Sequence, residues 1–153
     1  MIPKELTSNY YFKRLIKYCS TSIKCESEVL KKIKELEVPD EHKDLILHTL
    51  KNLKFYFSDS EYLDRFLENL STIKGYSKIQ LKTKLIRKGI PIKDIDIKLN
   101  LYFKKNEAEQ VVKYIQKNFS KLTRKPKEKR LNYLISKGFG ADLSKKHLKE
   151  LDL

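Results

Sequence analysis

The sequence is poor in the features that most often announce chemistry. Its four glycines, Gly75, Gly89, Gly138 and Gly140, form no run ending in Lys-Ser or Lys-Thr, which excludes a phosphate-cradling loop. Only two cysteines occur, Cys19 and Cys25, and no histidine stands close enough to complete a zinc pattern, so both read as reduced packing residues. His42, His48 and His147 are scattered and belong to no nucleophile or metal motif. Asp94 and Asp96 diverge at two-residue spacing on a helix, and Asp94 fits a first turn, where the helix dipole favours an acid. No apolar run approaches the about 18 residues of a membrane span, and Met1-Ile2-Pro3-Lys4-Glu5 is not an export segment. The expectation is a cytoplasmic protein that touches no membrane, needs no metal or cofactor and catalyses nothing.

What the chain has in excess is positive charge. Lys and Arg number 34 against 20 Asp and Glu, a net charge of +14 on 153 residues. That is far more than solubility requires and points to an anionic partner. Divided at the repeats described next, residues 1–57 carry +3, residues 58–105 carry +5 and residues 106–153 carry +6, so the charge grows toward the C-terminus.

A pattern returns along the chain with a period of about fifty residues. Tyr11-Phe12-Lys13-Arg14-Leu15-Ile16 recurs as Tyr62-Leu63-Asp64-Arg65-Phe66-Leu67 and, more faintly, as Gln110-Val111-Val112-Lys113-Tyr114-Ile115. Glu28-Val29-Leu30-Lys31-Lys32-Ile33 followed by Val38-Pro39 matches Gln80-Leu81-Lys82-Thr83-Lys84-Leu85 followed by Ile90-Pro91, and Leu131-Asn132-Tyr133-Leu134-Ile135 with Gly138-Phe139 is a third, degenerate copy. Such units bury their apolar faces only by stacking on one another. The fold expected is all-α: three tandem three-helix repeats, 1–57, 58–105 and 106–153, in an elongated, curved stack.

Local signals place the helices. Helical spacing of Tyr11, Leu15 and Tyr18 predicts a first helix over 7–19. Cys25 with Glu28 reads as a capping box whose serine has become cysteine; Ser58 with Glu61 and Ser77 with Gln80 are complete boxes. Leu70 lies on the stripe of Tyr62, Phe66 and Leu67, and Gly75 is predicted to cap that helix in the left-handed conformation. A helix of Ile95, Leu99, Tyr102 and Phe103 follows Pro91, and Val111, Val112, Ile115, Phe119 and Leu122 predict a separate long helix.

Basic residues concentrate in two windows free of acid. Lys74, Lys78, Lys82, Lys84, Arg87, Lys88 and Lys93 lie between Glu68 and Asp94, and Lys113, Lys117, Lys121, Arg124, Lys125 and Lys127 lie between Glu109 and Glu128. Lys113, Lys117 and Lys121, spaced by four, are expected on one helix face, where their repulsion is relieved by a polyanion. These windows, Lys93 excepted, are the candidate binding ridges. A second reading is a helix-turn-helix-like module for duplex DNA, against which stands the preference for Lys over the Arg, Asn and Gln that make bidentate base contacts.

The order of motifs resembles the RecX regulatory family. Ser77-Lys78-Ile79-Gln80-Leu81-Lys82-Thr83-Lys84-Leu85-Ile86-Arg87-Lys88-Gly89-Ile90 is similar to the family's central signature, a polar cap, a leucine-rich helix and a closing Lys-Gly-Ile. Leu53-Lys54-Phe55-Tyr56-Phe57-Ser58-Asp59 with Tyr62, Lys137-Gly138-Phe139 and the capped helix from Cys25 to Ile33 match its flanks. Leu63, Cys25 and Ile135-Ser136-Lys137 depart from the usual residues. The resemblance covers nearly the whole chain. It implies a modulator of RecA recombinase, which binds the RecA filament on single-stranded DNA and limits its growth, ATPase and strand exchange in recombination, repair and the SOS response; the repeat organisation leads to the expectation of a monomer.

Overall fold

The computed structural model describes residues 1–73 and 75–153, and of residues 70–73 the backbone only, so that Leu70's side chain and Lys74 lie outside the described residues. The chain is all-α. Among the described residues nine α-helices account for most of it, and the strands are two parallel two-residue pieces, β1 (Lys24–Cys25) and β2 (Tyr56–Phe57), with Lys24 opposite Tyr56 and Cys25 opposite Phe57. It divides into two compact units, residues 1–63 with 88–90, and residues 64–87 with 91–153.

The first unit holds α1 (Tyr10–Cys19), α2 (Glu26–Glu35), α3 (Asp40–Asn52) and the start of α4 (Asp59–Ile73). Its core is built from Phe12, Leu15 and Cys19 of α1, Val29 and Ile33 of α2, and Ile46 and Leu50 of α3. The α-helix begins three residues later than the spacing predicts, because Asn9 is the cap: its Oδ1 accepts the Phe12 N–H at 3.0 Å, while Lys4–Leu6 form a separate 3-10 turn. Cys25 does occupy the cap of α2, with Glu28 Oε1 accepting its backbone N–H at 3.3 Å. Both thiols are buried and unbridged, and burial raises them to about 11 at Cys19 and about 12 at Cys25, so they are protonated at neutral pH.

The second unit holds the rest of α4 and α5 (Lys78–Arg87), α6 (Ile92–Lys117), α7 (Phe119–Thr123), α8 (Lys127–Ser136) and α9 (Ala141–Glu150). Leu81 and Leu85 of α5, Ile95, Leu99, Val111 and Ile115 of α6, Leu122, and Leu134 of α8 are fully buried. The predicted helix over Val111–Leu122 is not a separate element. No glycine or proline interrupts Lys104-Lys105-Asn106-Glu107-Ala108-Glu109, and α6 runs through them for 26 residues. It ends at Asn118, whose side-chain amide donates to the Tyr114 carbonyl at 2.9 Å, and Phe119 beyond it is half exposed rather than on the apolar stripe.

A shared closure ends the second helix of each period. Glu37, Gly89 and Gly138 adopt positive φ, the next residues Val38, Ile90 and Phe139 are buried, and Pro39, Pro91 and Gly140 cap the following helix. The Val38 and Phe139 N–H groups donate back to the Ile33 and Leu134 carbonyls, the six-to-one bond of a Schellman cap. Gly75, expected to use the same freedom, does not. A Cβ there would collide with the backbone of Lys113 and Tyr114, so glycine is required for close approach to α6.

Candidate nucleic-acid interface

Helix α5 opens with the predicted reciprocal cap: Ser77 N–H donates to Gln80 Oε1 and Gln80 N–H to Ser77 Oγ, both at 3.1 Å. With Leu81 and Leu85 turned inward, its basic side chains point away from the core. Their neighbours differ. Lys78 donates to Asn100 Oδ1, and Lys82 pairs with Asp96 at 2.8 Å. Lys84 reaches neither; its ammonium sits 4.7 Å from the centroid of the Tyr76 ring, with Lys117 of α6 at 5.1 Å from the same ring. Tyr76 is held in place from behind, since the close approach at Gly75 brings its N–H to Gln110 Oε1 at 3.3 Å, and buried Gln110 in turn donates to the Tyr102 hydroxyl at 3.0 Å.

A second cluster forms on Tyr133 of α8. Lys125 lies 4.7 Å, Lys137 5.4 Å and Lys121 5.5 Å from its ring centroid. The ring is fixed by its hydroxyl, 3.4 Å from that of Tyr114, whose own buried ring packs on Phe139 at 5.1 Å. The turn carrying Lys121 and Lys125 is stapled by Arg130, which donates to the carbonyls of Leu122, Lys125, Thr123 and Leu153 at 2.9–3.3 Å. Burial pushes the Tyr133 phenol up, but the Tyr114 hydrogen bond and the charges of Lys121 and Lys137 outweigh it, so its pKa is lowered. A groove of about 300 Å³, lined by Tyr76, Ile79, Thr83, Lys84, Arg87 and Lys137, is bordered by members of both clusters.

The sequence windows thus separate into two populations. Freedom from acid in sequence is not freedom from acid in space: Asp96 meets Lys82, Glu109 meets Lys113 at 2.7 Å, and Glu28 meets Lys88 at 3.3 Å. Lys88 belongs to the first unit, half buried under the Tyr62 ring. Among the described residues Lys84, Arg87, Lys117, Lys121, Arg124, Lys125 and Lys127 have no carboxylate partner. Lys113, Lys117 and Lys121 do not share one helix face, because Asn118 ends α6 before Lys121. Lys74 lies outside the described residues. Tyr76, Tyr133, Lys137, Gln110 and Arg130 carry no binding role on sequence grounds, Gln110, Tyr133 and Lys137 appearing there only as repeat and motif positions; of their contacts only Tyr133 to Lys137, four apart, is signalled by spacing. Among the described residues no three His, Cys, Asp or Glu side chains gather as a metal site, and no helix is long and apolar enough to cross a membrane.

No family model matches the chain. It is similar to proteins named regulatory protein RecX: 28% identical over 138 residues to that of Limosilactobacillus reuteri, covering 86% of this chain and 51% of the relative, and 31% identical over 143 residues to that of Clostridium botulinum strain Eklund 17B, covering 88% and 65%. With that of Clostridium acetobutylicum it shares 27% identity over 153 residues, covering 94% and 70%. The chain therefore spans about half the length of the first of these relatives. Its fold is similar to the crystal structure of RecX from Lactobacillus salivarius, with a TM-score of 0.66 at 22% identity over 93% of this chain and 94% of that one, and to a second RecX crystal structure with a TM-score of 0.65 at 24% identity, covering 91% and 71%.

Proposed function

The chain belongs to the RecX family of regulatory proteins, and from that premise we propose that it restrains RecA recombinase by binding the RecA filament assembled on single-stranded DNA. In this reading it acts in the cytoplasm as a non-catalytic monomer and limits filament growth, ATPase and strand exchange in recombination, repair and the SOS response. The three repeats, 1–57, 58–105 and 106–153, are part of the same proposal, each adding contacts along the filament.

The observation that carries the reading is the set of lysines on Tyr76 and Tyr133 that lack carboxylate partners. An exposed cation–π contact is worth only about 0.5–1 kcal/mol, so the ammonium leaves the ring at little cost when a phosphate, whose neutralisation releases counterions, is offered. Lys82, Lys88 and Lys113 would first have to leave Asp96, Glu28 and Glu109. Contacts to phosphate are indifferent to sequence, as a regulator of a filament formed on any single strand requires.

The test is the ATPase of RecA on single-stranded DNA with this protein added below one copy per RecA. Inhibition at that ratio is the expected result and favours action on filament ends or assembly. Normal ATPase at saturating protein returns the duplex-binding module as the better reading.

A further inference from the structure

We propose that Tyr76 and Tyr133 are base-stacking rings, and that they make the second unit select single strands over duplex; this rests on the filament-binding reading and names the residues that discriminate. Both rings are half-buried, leaving part of their surface at the protein boundary. The backbone at Tyr76 is anchored by Gln110 and the close approach at Gly75, and the Tyr133 ring by the Tyr114 hydroxyl. Each ring is covered by lysines whose ammonium groups are 4.7–5.5 Å from the centroid; Lys84 also donates to the Tyr76 hydroxyl at 3.5 Å, and among the described residues none of the five meets a carboxylate. When backbone phosphates take those ammonium groups, the ring faces they covered are vacated in the same step. A base then replaces the cation on a preformed π surface, an exchange that is sequence-tolerant because every base has such a face.

A duplex supplies the phosphates but not the bases, which are stacked inside it. Only a single strand occupies both parts of the site. The groove lined by Tyr76, Ile79 and Lys84 reaches Lys137 of the Tyr133 cluster. In the first unit the lysines over rings are tethered by other side chains, and the remaining cation over a ring is Arg14, 5.9 Å from the centroid of the exposed Tyr10. Lys24 over Tyr18 is held by the Thr21 and Ser22 hydroxyls at 3.1 and 2.8 Å, and Lys32 and Lys88 are held by Glu35 and Glu28.

The test measures anisotropy of labelled oligothymidylate and of a labelled hairpin duplex across a salt series, using the full chain. In Tyr76→Leu with Tyr133→Leu, single-strand affinity should fall at least about tenfold, with duplex affinity within about twofold and the salt slope unchanged. In the fivefold variant Lys84→Gln, Lys117→Gln, Lys121→Gln, Lys125→Gln and Lys137→Gln, the slope should fall for both polymers, by roughly 0.7 for each single-strand phosphate left without its lysine. Tyr76→Phe with Tyr133→Phe keeps the rings and should keep single-strand affinity within about twofold. The proposal is overturned if wild-type protein shows no single-strand preference, if the leucine pair weakens both polymers alike or neither, or if the phenylalanine pair loses as much as the leucine pair. RecA ATPase inhibition is scored separately, so loss of that activity in the wild type indicts the regulatory reading and an unaltered strand preference indicts this one.

Discussion

In the first unit Lys32 lies over the Tyr18 ring and 3.6 Å from Glu35, and Lys88 lies over the Tyr62 ring and 3.3 Å from Glu28. In the second, Lys84 and Lys117 over Tyr76, and Lys121, Lys125 and Lys137 over Tyr133, meet no carboxylate among the described residues. Lys over Tyr is therefore closed by a carboxylate in these two contacts of the first unit and open in the second, with Lys24 over Tyr18, held by the Thr21 and Ser22 hydroxyls, in between. The tyrosines register the difference. Tyr18 is raised by burial and then by Glu28, whereas Tyr133 is lowered, the Tyr114 hydrogen bond and nearby lysines outweighing its burial. On the proposed reading, total charge is a poor guide to where a polyanion binds, and cations with no internal partner to give up are the better one.

The comparison breaks most severely when the scaffold of the open unit is cut. Leu85→Ala removes a fully buried side chain of α5 and should cost about 2–5 kcal/mol in a denaturant titration, as should Ile46→Ala in the closed unit. Neither should act on binding directly: at temperatures where both variants remain folded, oligonucleotide binding should persist in each, because neither touches the lysines.

A smaller effect separates the two open clusters. Gln110→Leu leaves the Tyr76 N–H and the Tyr102 hydroxyl without their partner and should cost about 1–3 kcal/mol. It should weaken oligothymidylate binding through Tyr76 alone, so that adding Tyr133→Leu weakens it further, whereas adding Tyr76→Leu does not.

The smallest effect is titrational. Lysines stabilise the Tyr133 phenolate, so in an absorbance titration Tyr133 should ionise before Tyr18, and Tyr133→Phe should remove an early component of the curve while Tyr18→Phe removes one of several late ones, shared with Tyr56, Tyr62, Tyr102 and Tyr114. The lowered value of Tyr133 contributes stability that is fully present above the ordinary tyrosine pKa of about 10 and is lost as pH falls through the folded value. The raised value of Tyr18 works oppositely: its contribution is fully present below about 10 and lost as pH rises through the folded value. An oligonucleotide bound at the lysines should move the Tyr133 transition upward and leave that of Tyr18 in place.

Much of the fold was legible because its signals are local. Ser77 with Gln80, Cys25 with Glu28, and the stops at Gly89 and Gly138 each act over four residues or fewer, and each is found where the sequence puts it. What was not legible depends on partners distant in sequence. Asp96 and Glu28 lie outside the first acid-free window, yet folding sets them against Lys82 and Lys88. Tyr133 gathers Lys121 and Lys125 across the bend at α7, which the predicted continuous helix would have carried elsewhere. Gly75 was assigned the wrong property, because nothing in the adjacent residues reveals that the backbone of Tyr114 lies against it.

The most direct test removes equal charge from the two populations of lysine. Lys84→Gln, Lys121→Gln and Lys125→Gln takes three cations without carboxylate partners, and Lys82→Gln, Lys88→Gln and Lys113→Gln takes three that are paired with Asp96, Glu28 and Glu109. Each variant is titrated into RecA ATPase on single-stranded DNA at fixed salt. The first should need more than about tenfold higher concentration to inhibit, the second no more than about threefold, since a paired cation must give up its carboxylate before it neutralises a phosphate and releases its counterions. Equal losses in the two variants would contradict the account, leaving total charge rather than the open clusters as the determinant.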